Sequence, residues 1–218
     1  MVGKKTNCVI FDCEGTLVDS ERLCCEALVQ VFNEIGAELS IEDIIDNFEG
    51  GKIADIMHST LQLAEKTADI DVLEQRYREV LEPLFLQKLT PMRGAVALLD
   101  WLRETETEFC VTSNAPKDRI ESILKSAGLY SYFQGKIFSA FEANSWKPEP
   151  DLIRYCAMNM GFMLDECVYV DDTHKGVKAG LNAGVTTFQI TPLTWQNRVS
   201  HPKVTVLESL EQLTLYLA

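Results

Sequence analysis

Five short apolar runs, at residues 8–11, 109–112, 136–139, 167–170 and 185–190, constrain the fold of this chain more than any other feature. Each is nearly continuous in hydrophobic character and too short for a buried helix, which is the pattern of a strand covered on both faces. Helical stretches separate the last four. Residues 119–127 carry Ile120, Ile123, Leu124 and Ala127 on one face and stop at Gly128. Residues 151–160 follow Pro150 and end before Gly161, and residues 176–183 end before Gly184. Strands alternating with helices imply right-handed crossovers. The expected fold is therefore α/β, a Rossmann-like and mainly parallel sheet with helices on both faces.

The interval between the first two runs, residues 12–108, is far too long for a single crossover. It must hold an inserted domain. Residues 20–35 place Leu23, Ala27, Leu28, Val31, Phe32 and Ile35 at helical spacing before Gly36, and further helical patterns cover 41–48, 53–64 and 72–86 with no strand among them. The expected organisation is a core built from residues 1–18 and 89–218, with a helical cap over 19–88. A helix over 95–103 leads back into the sheet.

Ligands of open α/β sheets bind beyond the carboxyl ends of the strands, so the polar residues there carry the functional reading. The first run delivers Asp12, followed by Glu14, Gly15 and Thr16; the second delivers Thr112, Ser113 and Asn114; the fourth delivers Asp171 and Asp172. Lys147 precedes the helix over 151–160. Taken singly, Asp12 reads as a turn residue, Ser113-Asn114 as a helix cap, the two acids as caps and Lys147 as a surface charge. Their convergence on one sheet edge points instead to a site.

That combination suits phosphoryl transfer through a carboxylate nucleophile. Asp12 would attack phosphorus and form an aspartyl phosphate that water then hydrolyses. Bringing two anions together needs a hard cation, and the oxygen ligands of Asp12, Asp171 and Asp172 suit Mg²⁺. The Ser113 hydroxyl, the Asn114 amide and the Lys147 ammonium would orient and neutralise the phosphoryl oxygens. Glu14 lies two residues beyond Asp12, and in an extended segment such residues project to the same side. Its carboxyl would protonate the leaving group and then activate the hydrolytic water.

Composition narrows the partners. Twenty Lys and Arg against 33 Asp and Glu leave a formal charge of −13, a surface that repels nucleic acid and anionic membranes. A small phosphorylated metabolite meeting locally concentrated positive charge is the expected ligand. No apolar run approaches the roughly 18 residues of a membrane span, and residues 8–11 are too short for a signal peptide, so a cytoplasmic location is expected. Seven cysteines without ligand spacing read as reduced, packed thiols.

Asp12-Cys13-Glu14-Gly15-Thr16-Leu17-Val18-Asp19-Ser20 resembles the first motif of the haloacid dehalogenase-like hydrolases, D-x-D-G-T-L-x-D-S. Thr112-Ser113-Asn114 resembles the second motif, Lys147-Pro148 the third and Val170-Asp171-Asp172-Thr173 the fourth, all in order along nearly the whole chain. The resemblance implies a Mg²⁺-dependent phosphatase with a mobile helical cap. It assigns Asp12 as nucleophile and metal ligand, and gives residue 14 a metal-binding backbone carbonyl besides its acid/base side chain. The overall sequence is also similar to the bacterial 6-phosphogluconate phosphatase branch, including the tail His201-Pro202-Lys203-Val204. Phe48-Glu49-Gly50-Gly51-Lys52 resembles the substrate-facing glycine loop of the family, with Gly51 approaching the substrate and Lys52 meeting a distal carboxylate or hydroxyl.

One departure stands out: the family usually carries Asp where this chain has Glu14. The extra methylene moves the carboxyl by about 1.5 Å, which predicts that Glu14→Asp raises the turnover number. Two other functions fit the same motifs, a phosphosugar mutase and a catalytically weakened binder of phosphorylated metabolites. A carbon–halogen hydrolase would leave Asp171 and Asp172 without a task.

Overall fold

The computed structural model describes residues 6–48, 52–190 and 198–217. Its centre is one sheet of strands β1 (Cys8–Asp12), β2 (Glu108–Ser113), β3 (Ile137–Ser139), β4 (Cys167–Asp171), β5 (Thr186–Ile190) and β6 (Val204–Leu207), in the order β3-β2-β1-β4-β5-β6. Every neighbouring pair is parallel. The five apolar runs account for the first five strands. β6 escaped the sequence pattern because it is four residues long, lies on the sheet edge and is half-buried at three of them.

Between β1 and β2 run α1 (Glu21–Glu34), α2 (Ile41–Asn47), α3 (Ile53–Leu63), α4 (Ile70–Lys88) and α5 (Ala95–Glu104). The later crossovers contain α6 (Lys117–Ser126), the short α7 (Tyr130–Phe133) and α8 (Ala140–Ala143), then α9 (Asp151–Met160) and α10 (His174–Ala183), with α11 (Thr214–Leu217) at the end. Helix ends follow local chemistry. Ser40 and Asp43 form a reciprocal capping box at the start of α2, and α9 stops where Gly161 takes a φ of 82°. Helix α4 continues through Pro83, an interior break of about 3 kcal/mol that burial of Tyr77, Val80, Leu81 and Phe85 offsets.

Alternation along each strand divides the core in two. Cys8 and Ile10 turn towards α9 and α10, packing with Cys110, Tyr169, Leu152, Ile153, Cys156 and Ala179. Val9 and Phe11 turn the other way, towards Leu98 and Leu102 of α5 and Ile120 and Leu124 of α6. All seven cysteines are buried and none forms a disulfide, as their spacing predicts. Among the described residues no helix is long and apolar enough to cross a membrane.

Helices α1 to α4 pack on one another, with α1 against α2 and α4, and α3 against α4. Among the described residues of this stretch there is no strand. Its entry and exit run side by side: the Met92 amide donates to the Leu17 carbonyl at 2.8 Å, and the Asp19 amide to the Thr90 carbonyl at 3.0 Å. The buried side chains of this layer, including Phe32, Met57 and Leu81, join the apolar cluster of the sheet face rather than forming a separate one.

Close helix–sheet packing makes a sign-specific prediction. At an open helical position Gly→Ala stabilises by about 1 kcal/mol. At Gly180 of α10, an added methyl would press into the Thr187 hydroxyl and lie 2.8 Å from Tyr169 Cδ1. Gly180→Ala should therefore destabilise the protein by about 1–3 kcal/mol in urea unfolding, and a gain in stability would contradict this packing.

Candidate active site

The strand order reverses between β1 and β4, so a crevice opens beyond their carboxyl ends. Register sets what faces it. Asp12 ends β1 opposite Thr112 of β2, while Phe11 lies opposite Val170 of β4, which brings Asp171 to the same edge. Asp12, Ser113, Lys147, Asp171 and Asp172 are all buried there. Lys147 lies between two of the acids, its Nζ donating to Asp12 Oδ1 at 2.5 Å and to Asp171 Oδ2 at 2.8 Å.

The loop that carries Lys147 is fixed by a residue of the second motif. Asn114 Oδ1 accepts the Lys147 amide at 2.9 Å, and the Asn182 side chain donates to the Pro148 carbonyl at 3.1 Å. The Lys147–Pro148 peptide is cis. Ser113 Oγ accepts the Ala115 amide at 3.1 Å, closing a tight turn after β2. Helix α6 starts beyond it at Lys117, with Pro116 at the cap position. Neither Ser113 nor Asn114 serves as its cap.

The two adjacent acids are held differently. Asp171 accepts from the Tyr169 hydroxyl and Lys147 on Oδ2, and from the Thr173 amide (2.8 Å) and hydroxyl (2.7 Å) on Oδ1. Thr173, not either acid, caps α10, its Oγ1 accepting the Gly176 amide at 3.0 Å. Gly176 admits this arrangement because a Cβ there would collide with the Asp171 carboxylate. Asp172 Oδ1 accepts the Thr16 hydroxyl at 2.9 Å, and Gln189 holds the Asp172 backbone carbonyl at 2.8 Å. The other Asp172 oxygen, Oδ2, is buried with no hydrogen-bond partner among the described residues. Gly15, at a φ of 79°, leaves the room that oxygen occupies, since a Cβ there would overlap it.

Three buried carboxylates face one ammonium, an arrangement short of positive charge. Burial pushes the Asp12 carboxyl up to about 7 in spite of Lys147. Burial raises Asp172 well above the carboxylate range, with repulsion from Glu21, Asp171 and Asp12 adding to it. Burial works against the charge on Lys147, yet Asp12 and Asp171 outweigh it and keep the ammonium more basic than an ordinary lysine. A dication fits this site on the chemistry of its donors: Asp12, Asp171 and Asp172 each offer a hard oxygen, all within 4.8 Å of one another. Among the described residues, the unpartnered Asp172 Oδ2 is the only carboxylate oxygen of the buried side-chain atoms left unsatisfied.

Glu14 departs from its sequence-based placement. Strand β1 ends at Asp12, so the alternation that would carry residue 14 to the same side does not continue. Glu14 lies in the turn beyond, bridged to Val18, and its carboxylate takes a 3.3 Å contact from Arg119 Nη2 of α6. Lys52 is exposed at the start of α3, and Gly51 lies outside the described residues. A cleft of about 370 Å³ separates α2 and α3 from Lys175 at the start of α10. Its lining includes Phe48 and Asp55.

Sequence reasoning named Thr16 and Thr173 without giving them a partner, and missed Tyr169, Gln189 and Arg119. Tyr169 was recoverable, since it lies two residues before Asp171 on the same strand. Thr16 and Thr173 flank acids already singled out. Nothing local marks Gln189 or Arg119, which reach the site through tertiary packing.

Known proteins share both sequence and fold with this chain. The family model for haloacid dehalogenase-like hydrolases matches residues 9–190. The chain is 34% identical over 205 residues to 6-phosphogluconate phosphatase of Escherichia coli (strain K12), covering 94% of this chain and 91% of that protein. It is 24% identical over 182 residues to the fructose-1-phosphate phosphatase YqaB of the same organism, covering 84% of this chain and 95% of that one. In structure it matches a conserved haloacid dehalogenase-like protein of unknown function from Agrobacterium tumefaciens, with a TM-score of 0.82, 25% identity and 97% of each chain covered. With its parallel sheet, its four motifs on one edge and a family match across most of its length, the chain belongs to the haloacid dehalogenase-like hydrolases.

Proposed function

We propose that this chain is a Mg²⁺-dependent phosphatase that hydrolyses small sugar-phosphate or sugar-acid phosphate monoesters through an aspartyl-phosphate intermediate. The observation that carries the reading is the buried Asp12–Lys147–Asp171 array beside the unpartnered Asp172 Oδ2. The likeness to 6-phosphogluconate and fructose-1-phosphate phosphatases supports the substrate class.

In the first step an Asp12 carboxylate oxygen attacks phosphorus while the ester P–O bond breaks, and Glu14 gives a proton to the departing oxygen. In the second, Glu14 takes a proton from water, the water oxygen bonds to phosphorus and the Asp12 carboxylate leaves. Lys147 holds Asp12 in place and neutralises a phosphoryl oxygen, while Ser113 and the Asn114 amide orient the others. Asp12, Asp172 and the Glu14 carbonyl, within the acidic cluster that Asp171 completes, would hold Mg²⁺, which when bound would supply the positive charge that lets a phosphate approach a carboxylate. Residues 19–88 act as the cap that closes over the substrate. Lys52, with Gly51, contributes specificity from that side.

Release of inorganic phosphate from a panel of phosphorylated sugars and sugar acids, with and without Mg²⁺, tests the reading. Multiple turnovers of free phosphate exclude a mutase, which returns the group to another hydroxyl. Asp12→Asn should fold and lose activity by about 10⁴-fold or more; steady turnover in the purified variant would rule out the covalent route.

Asp172→Asn should weaken Mg²⁺ at least about tenfold and abolish Mg²⁺-induced thermal stabilisation, because the unpartnered anionic oxygen is gone. An unchanged Mg²⁺ response of the melting temperature would remove Asp172 from the ligand set. Lys52→Ala should alter the ranking of sugar phosphates about tenfold while sparing a small generic ester. Equal losses on all esters would place Lys52 outside the specificity surface.

A further inference from the structure

Arg119 is the ion-pair partner of Glu14 among the described residues, at 3.3 Å, with both side chains about seven-tenths buried. It comes from the first turns of α6, whose Ile120, Ile123 and Leu124 anchor the helix in the core. Helix α6 also packs against α4 of the helical insert. The Arg119 guanidinium is held firmly protonated, above all by Glu14. The pair therefore sits where the core, the first turn of the insert and the mouth of the crevice meet.

We infer that Arg119 is the positioning residue for Glu14, its guanidinium fixing the carboxyl where it serves the leaving oxygen and the hydrolytic water. This rests on the phosphatase reading above. A half-buried ion pair at 3.3 Å gives modest stability, and its value lies in direction. Glu14 has one more rotatable bond than aspartate, and an unrestrained carboxyl would lose the alignment that proton transfer needs. Side-chain length and partner match: a carboxyl drawn back by about 1.5 Å, as in aspartate, falls out of reach of Arg119. The expectation from family resemblance, that Glu14→Asp raises turnover, is thereby reversed.

The test separates positioning from general structural support by the leaving group. A sugar alkoxide needs a proton as it departs, whereas p-nitrophenolate does not. Arg119→Ala should lower kcat/KM for a sugar phosphate about 10- to 100-fold, and kcat/KM for p-nitrophenyl phosphate by less than about threefold. Arg119→Lys should recover part of the loss. Glu14→Asp should leave kcat equal or lower, and adding Arg119→Ala to it should cost little more, because the contact is already broken. Proportional losses on both esters, or no loss on either, would overturn the assignment, as would a raised kcat in Glu14→Asp. If the unaltered protein hydrolyses neither ester with Mg²⁺, the phosphatase reading fails and this inference falls with it.

Discussion

A buried lysine held between carboxylates from two central strands organises this molecule. Removing one ammonium and two carboxylates from water costs several kcal/mol per ion, which only close geometry and further hydrogen bonds repay. The surrounding residues supply those bonds. Asn114 fixes the Lys147 backbone, while Tyr169 and Thr173 saturate Asp171, so the ammonium has one place to go. Its position in turn fixes Asp12, which has Lys147 as its only ion-pair partner among the described residues.

Adjacent residues then take opposite tasks. Asp171 accepts four hydrogen bonds from the protein on its two oxygens, one of them from Lys147. Asp172 keeps one buried oxygen without a partner, in a space left open by the absence of a side chain at Gly15. A fold that stabilised only itself would not keep such an atom, since an unsatisfied buried acceptor costs about 1–3 kcal/mol and more when charged. Two glycines permit this, Gly15 beside the Asp172 carboxylate and Gly176 beside that of Asp171.

Much of this was legible in the sequence, for definite reasons. Strands buried on both faces leave unbroken apolar runs, and their carboxyl ends can be located to within a residue, which is why Asp12, Ser113 and Asp171 emerged together. Helix α9 was legible to its ends because Pro150 and Gly161 mark them. β6 was not, because an edge strand needs no continuous apolar run. The placement of Glu14 rested on extending strand alternation two residues past the end of β1, where the chain has already turned. Arg119 and Gln189 were invisible, since their roles depend on how helix and edge strand pack and not on any neighbour in the chain.

The turn after β1 shows why that last class of residue matters. Within nine positions it carries the buried Asp12, the carboxylate of Glu14, the glycine that makes room for Asp172, and Ser20 at the threshold of α1. It closes on itself through the Gly15 amide, which donates to the Val18 carbonyl at 2.9 Å and to Ser20 Oγ at 3.1 Å. Val18 also bridges to Pro91 on the exit segment. Any rotation of the helical insert about these two segments must act on the hydrogen bonds that shape the turn, and so on the backbone of Glu14. A side chain anchored only by that backbone would follow the insert. One also held by Arg119, on a helix that belongs to the sheet, has a reference point in the core.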